Sequence, residues 1–257
     1  MVVREARVED LFLGQEAGTS AYYGRLVDAR GFSQRAVASA KQAELKETEA
    51  EHEADIALTE ALMGNEREAQ ERATIALEHS TGRDVQYGAA LALALTRNST
   101  RVRSLADDLA RRFPEDTLVQ FSYLPTLRAQ LALNRKDATQ AIETLQVALP
   151  YDLALEPTTG ALLLSLYPVY VRGYAYLAAR RGTEAAAEFK KIVEHPGVVA
   201  NEPIGALAHL GLGRAYALQG EVAKSRAAYA DFFARWKNAD RGIPRLAEAK
   251  AEYSTLQ

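Results

Sequence analysis

The chain has 257 residues, 48% hydrophobic and 25% charged, with a formal net charge of −3. That composition supports a folded core, and slight acidity with no basic stripe argues against tracking a nucleic-acid backbone. The absence of cysteine removes disulfide frameworks, thiolate zinc sites and cysteine nucleophiles from consideration.

Met1–Arg7 is charged and lacks the apolar stretch of a signal peptide. No apolar run reaches the roughly 18 residues a membrane helix needs, and the region around Gly160–Val171 is broken by Pro168. A soluble chain without membrane insertion is the expectation. Alanine and leucine recur at helical spacing almost throughout, and strand signals are scarce. Turn residues fall about every 15 to 20 positions, the rhythm of paired short helices.

In chain order, six helix–turn–helix units are expected at approximately 17–49, 50–82, 83–121, 122–165, 166–205 and 206–240. A small residue in each first helix reads Gly24, Ala57, Ala90, Ala129, Gly173 and Gly213. In the second helices the matching position reads Ala36, Ala69, Val102, Ala141, Ala185 and Ser225. One turn on come Ala40, Ala73, Ala106, Leu145, Phe189 and Tyr229. Between the helices stand Gly31, Gly64, Arg97, Lys136, Arg180 and Gly220. Spacings between successive units run 33, 33, 39, 44 and 40, which places insertions at Glu156-Pro157-Thr158-Thr159-Gly160 and Asn201-Glu202-Pro203. The last stretch, Ile243–Gln257, reads as an amphipathic capping helix with Pro244 in its first turn. Its apolar positions are Leu246, Ala249, Ala251, Tyr253 and Leu256.

Close approach explains the pattern. Two antiparallel helices joined by a short turn pack at about 8–10 Å only where small side chains occupy the crossing. A single hairpin cannot bury its apolar face, so hairpins must stack, and the last one needs a cap that is polar outside.

This ladder resembles the tetratricopeptide repeat. The fit is closest at Leu212, Gly213, Tyr216, Gly220, Ser225, Tyr229 and Phe232, and again at Gly173, Tyr176, Ala185 and Phe189. The tryptophan often seen early in the first helix is absent, with Ser20, Glu53, Gln86, Pro125, Val169 and His209 in its place. The resemblance implies one all-α domain over 1–257, a right-handed α-solenoid of about six repeats with a C-terminal capping helix. Two stretches, 82–94 with 112–117 and 201–212 with 249–253, are similar to the C-terminal repeat region of bacterial eukaryotic-like serine/threonine protein kinases. Similar regions also follow winged-helix regulators. The sequence holds no glycine-rich phosphate loop, no His-Arg-Asp and no Asp-Phe-Gly. The resemblance therefore implies a sensor or docking region of a signalling protein. It would be extracytoplasmic if it follows a kinase and a membrane helix, and cytoplasmic otherwise.

No catalytic, cofactor or metal constellation stands out. The histidines His52, His79, His195 and His209 are scattered and show no His-Glu-x-x-His spacing. His209 reads as a packing residue. Arg111-Arg112 and Arg180-Arg181 fall near helix ends, where cations complement the helix dipole.

In tetratricopeptide proteins the first helices line the concave face. Carried over, that face includes Arg25, Tyr87, Tyr123, Gln130, Asn134, Tyr167, Tyr170, Tyr174 and Arg214. Tyrosine offers contact area with few rotors, and amides can pair with a peptide backbone. An alternative places these tyrosines between neighbouring helices. The leading expectation is a protein- or peptide-binding scaffold that binds no nucleic acid, needs no cofactor and is not an enzyme. The alternatives are a small-molecule sensor with its ligand inside the superhelix, and a module for spacing or dimerisation.

Overall fold

The computed structural model describes residues 2–154 and 165–256; among them there is no strand and the fold is all-α. The helices run as antiparallel hairpins. They pair α1 (Val2–Tyr22) with α2 (Leu26–Gln42), α3 (Lys46–Met63) with α4 (Glu66–His79), and α5 (Arg83–Leu95) with α6 (Ser99–Arg112). The later pairs are α7 (Leu124–Asn134) with α8 (Ala138–Thr144), α9 (Tyr167–Ala178) with α10 (Gly182–Glu194), and α12 (Pro203–Leu218) with α13 (Val222–Arg235). A one-turn helix, α11 (Pro196–Val199), is inserted before α12, and α14 (Pro244–Ser254) follows the last hairpin. The insertion expected at 156–160 lies outside the described residues; Asn201 and Glu202 do form the link into α12.

Each hairpin turns on one residue in the left-handed region. These are Gly24 (φ +71°), Gly64 (+92°), Arg97 (+62°), Lys136 (+63°), Arg180 (+59°) and Gly220 (+73°). The next N–H then reaches a carbonyl five residues back: Asn65 to Glu60, Asn98 to Leu93, Asp137 to Ala132, Arg181 to Tyr176 and Glu221 to Tyr216, at 2.9–3.0 Å. This is the Schellman closure, which satisfies carbonyls left open at a helix end.

The first unit corrects the sequence frame. Gly24 is a turn residue, not the small residue of a helix crossing, and Gly31, expected to turn, lies inside α2. Ala17 and Ala29, both buried, hold the same offsets from Gly24 that Ala57 and Ala69 hold from Gly64. The error is seven residues. That is two helical turns, so Ala29 and Ser33 share a face of α2 with Ala36 and Ala40, and both frames fit the letters.

Proline shapes the fourth hairpin. Pro125 cannot donate to the carbonyl four residues back, and a π-helical turn, Val119–Tyr123, runs straight into α7. The Thr126 hydroxyl donates to Ser122 O at 2.7 Å beside this distortion. At the other end α8 tightens into a 3₁₀ segment, Leu145–Tyr151.

The row of hairpins is not open-ended. The first helices α3, α5, α7, α9 and α12 pack side by side in that order, and α12 meets both α1 and α3. Trp236 Nε1 donates to Tyr22 O at 2.9 Å, Asp240 N to Gly24 O at 3.0 Å, and Val27 N to Asp240 Oδ2 at 2.8 Å. Asn201 Nδ2 donates to Gln15 O at 2.8 Å. The two ends of the row therefore meet. Pro244 seats α14 at the expected N-terminal position, and Leu246 and Ala249 are buried. Ala251, expected to be apolar contact, is exposed. The cap does more than cover the last hairpin, because its first turn also reaches α3: Pro244 lies against Gly64 and Arg245 Nε donates to Leu62 O at 3.2 Å.

Candidate functional site: a cavity inside the closed row

The first helices α3, α5, α7 and α9 end on the same side of the molecule. The last turns of α3, α5 and α7, one face of α9 and the first turn of α14 line a cavity of about 370 Å³ that is open to solvent on one side. Gln130, Asn134, Tyr170 and Tyr174 all line it, so four of the expected binding residues converge. Arg214 stands directly behind: its Nη1 donates to the Tyr174 hydroxyl at 3.0 Å, while Nε and Nη2 grip Glu252 of α14 at 2.9 and 2.8 Å.

Three more of the expected residues belong to the core. Tyr87, Tyr123 and Tyr167 have essentially no exposed surface. The rings of Tyr87 and Tyr123 stack with centroids 3.7 Å apart, the Tyr123 hydroxyl donates to Asp84 Oδ1 at 2.9 Å, and Tyr167 donates to Glu202 Oε2 at 2.8 Å. These three pack between helices and do not line the cavity. Arg25 sits at the α1–α2 turn beside Asp28, away from the cavity wall.

The wall is chemically ordered. Leu62, Leu95 and Leu133 form its apolar part. Gln130 Nε2 donates to Asn134 Oδ1 at 3.1 Å, and Asn134 Nδ2 to Ala94 O at 2.8 Å, which fixes both amides and leaves Gln130 Oε1 without a partner among the described residues. The two tyrosine hydroxyls lie 3.4 Å apart with their rings edge to face. Burial lifts the Tyr170 hydroxyl well above its ordinary value, so it stays a neutral donor and acceptor. Burial also disfavours the Glu252 charge, but the Arg214 guanidinium and the Tyr229 hydroxyl outweigh that and hold its carboxyl below the usual range.

Three cations complete the wall: Arg97, Lys136 and Arg245. Sequence reading missed all three as site residues. Arg97 and Lys136 did carry a signal, since they replace glycine at a turn position. Arg245 carried none, because nothing local in a capping helix shows that its first turn reaches α3.

Among the described residues no carboxylate, histidine, serine or threonine lines this cavity. Among the described residues no group of three or more acidic or histidine side chains is arranged to hold a metal ion, and no helix is long and apolar enough to cross a membrane. His52 and His209 are buried, and burial holds both down to about 4, so they pack as neutral rings. A smaller cavity, about 180 Å³, lies between Phe121, Tyr151 and Pro168; its rim includes Ala154 and Ser165, which flank the segment outside the described residues. Scanned against protein-family models the chain matches none, and a search of curated proteins finds no relative.

Proposed function

We propose that this chain is a non-catalytic binding module of six tetratricopeptide-like hairpins, and that the central cavity is its ligand site. One observation carries the reading: amides from α7, tyrosines from α9 and a guanidinium from α14 converge on a single space of about 370 Å³, the size and mixed lining of a small-molecule pocket. The recurrence of the left-handed turn, with glycine or alanine seven before it in all six hairpins and alanine or serine five after it in all but the third, where Val102 stands, supports the repeat assignment. The similarity of its sequence to repeat regions of signalling kinases fits a sensor or docking role.

Of the two binding modes expected from the sequence, a small ligand fits better than a peptide laid along an open groove. The ends of the row meet, and α14 reaches across to α3 from the last hairpin. A thermal-shift screen of metabolites on the wild-type chain and on Ala178→Trp, which fills the cavity from an exposed wall position, tests this. Compounds that raise the wild-type Tm by more than about 2 °C should lose that effect in the variant. Equal stabilisation of both proteins would remove the cavity as the site.

A further inference from the structure

We infer that the cavity takes a small anionic ligand with an apolar body: a carboxylate, sulfonate or phosphate monoester carried on an alkyl or aryl group. This rests on the reading of the cavity as the ligand site and adds the class of ligand.

The charge of the wall is the first argument. Acidic residues outnumber basic ones in the chain, 34 to 31, yet among the described residues the wall holds Arg97, Lys136 and Arg245 and no carboxylate. Neither Arg97 nor Lys136 forms an ion pair among the described residues, although Arg72, Arg83 and Arg172, on helices of the second, third and fifth hairpins, do. Arg245 gives Nε to Leu62 O and Nη1 to Glu248 Oε2 at 2.7 Å, which leaves Nη2 without a partner among the described residues. Arg97 and Lys136 are exposed at the rim and Arg245, half-buried, has one carboxylate, Glu248, against it; the excess of positive charge around the cavity favours a ligand that brings the counter-charge.

Backbone conformation is the second argument. Arg97 and Lys136 hold φ of +62° and +63° at a position where Gly24, Gly64 and Gly220 serve three of the other four hairpins. An L side chain is disfavoured there and glycine is not. A cation next to a helix C-terminus gains some dipole energy, and that applies equally to Arg180, at the same turn position with φ +59°. Arg97 and Lys136 differ from Arg180 in bordering the cavity. Local strain retained beside a binding space is the pattern of a functional position. Beside the cations, Leu62, Leu95 and Leu133 supply the surface for an apolar body, and the Tyr170 and Tyr174 hydroxyls can donate to an anionic head.

A matched pair of fluorescent probes separates the ligand class from the site. 8-Anilinonaphthalene-1-sulfonate carries the anion, and N-phenyl-1-naphthylamine is the same aromatic body without it. The sulfonate should bind the wild-type chain saturably at one site, at least about tenfold tighter than the neutral amine, a difference worth about 1.4 kcal/mol. Lys136→Gly and Arg245→Gln should each weaken the sulfonate by about tenfold and leave the neutral probe within about twofold. Lys136→Gly and Arg97→Gly should hold or raise Tm while losing affinity, an outcome that a purely structural role for these residues would not give. Neutral probe bound as tightly as sulfonate would overturn the anion inference while the cavity remained a site. No binding of either probe, or sulfonate binding unaffected by Ala178→Trp, would overturn the cavity reading itself.

Discussion

Phe189 of α10 projects into the space between α9 and α12. A Cβ built on Gly173 would lie 2.8 Å from its ring, and one on Gly211 2.6 Å. Gly213 has the same relation to the Tyr229 ring, at 2.6 Å. In the fifth and sixth hairpins the repeated glycines therefore make room for an aromatic ring of the second helix, whereas the sequence reading assigned these small residues to close approach of the two helices. Gly211→Ala adds a methyl group against Phe189 and should cost about 1–3 kcal/mol by overpacking, offset by about 1 kcal/mol of helix propensity. In a Phe189→Leu background the clash is gone and the substitution should become neutral or stabilising. Chemical denaturation of the four proteins in the cycle measures the coupling; strictly additive effects would mean that the ring and the glycine do not constrain each other. The glycines were legible from their spacing. Which group fills the space they leave was not, since a glycine records only that something comes close.

The fifth hairpin is joined by charge as well as by packing. Arg172 of α9 is fully buried and donates to Glu188 of α10 at 2.9 and 2.6 Å and to Asp152 at 2.6 Å. Lys191 bonds the same two carboxylates, both at 3.0 Å. The network ties the end of the fourth hairpin to both helices of the fifth. Arg172→Met leaves two buried carboxylates with one half-exposed lysine, so we expect a loss of about 3–5 kcal/mol in urea denaturation. Adding Glu188→Gln and Asp152→Asn should recover a large part of it, because the remaining polar groups are then neutral; no recovery would show that Arg172 acts by packing alone. Sequence patterning located α9 and α10 but not this network, since its members are 16 and 20 residues apart and charges mark a helix surface as readily as a buried pair. The helix elements themselves followed from periodicity and turn chemistry. The one misplaced frame, in the first unit, arose because a two-turn shift preserves the face of a helix.

Closure of the row brings titratable groups inside the molecule, and stability should follow their protonation. Burial pushes the Asp55 carboxyl up to about 7; it is half-buried near Arg30 and Glu60. Its unfolded value is near 4, so its contribution to stability is intact below about pH 4 and is lost as pH rises through about 7. His52 and His209, held at about 4 in the folded chain, act in the opposite sense. Their contribution is intact above about pH 6.5, the unfolded value, and is lost as pH falls through about 4. The two slopes oppose each other between about pH 4 and 6.5, so the wild-type curve alone does not separate them. The Tm of Asp55→Asn minus that of wild type isolates the carboxyl: it should shift in favour of the variant by more than about 2 °C between pH 5 and pH 8. A difference independent of pH would show that Asp55 ionises unopposed in the fold.

The sequence by itself determined the paired helices and, in every hairpin but the first, the turn position between them, because these depend on neighbours three, four or five residues away. It also placed Gln130, Asn134, Tyr170 and Tyr174 on the inward faces of their helices. Only the tertiary structure decided that Trp236 and Asp240 reach the α1–α2 turn, that α14 runs back to α3, and that Tyr87, Tyr123 and Tyr167 are core while their counterparts face a cavity. The physical reason is separation along the chain: more than 180 residues lie between Leu62 and Arg245 and more than 200 between Tyr22 and Trp236. Small changes of angle at every hairpin sum to decide whether such groups meet, and no local pattern of residue types encodes that sum.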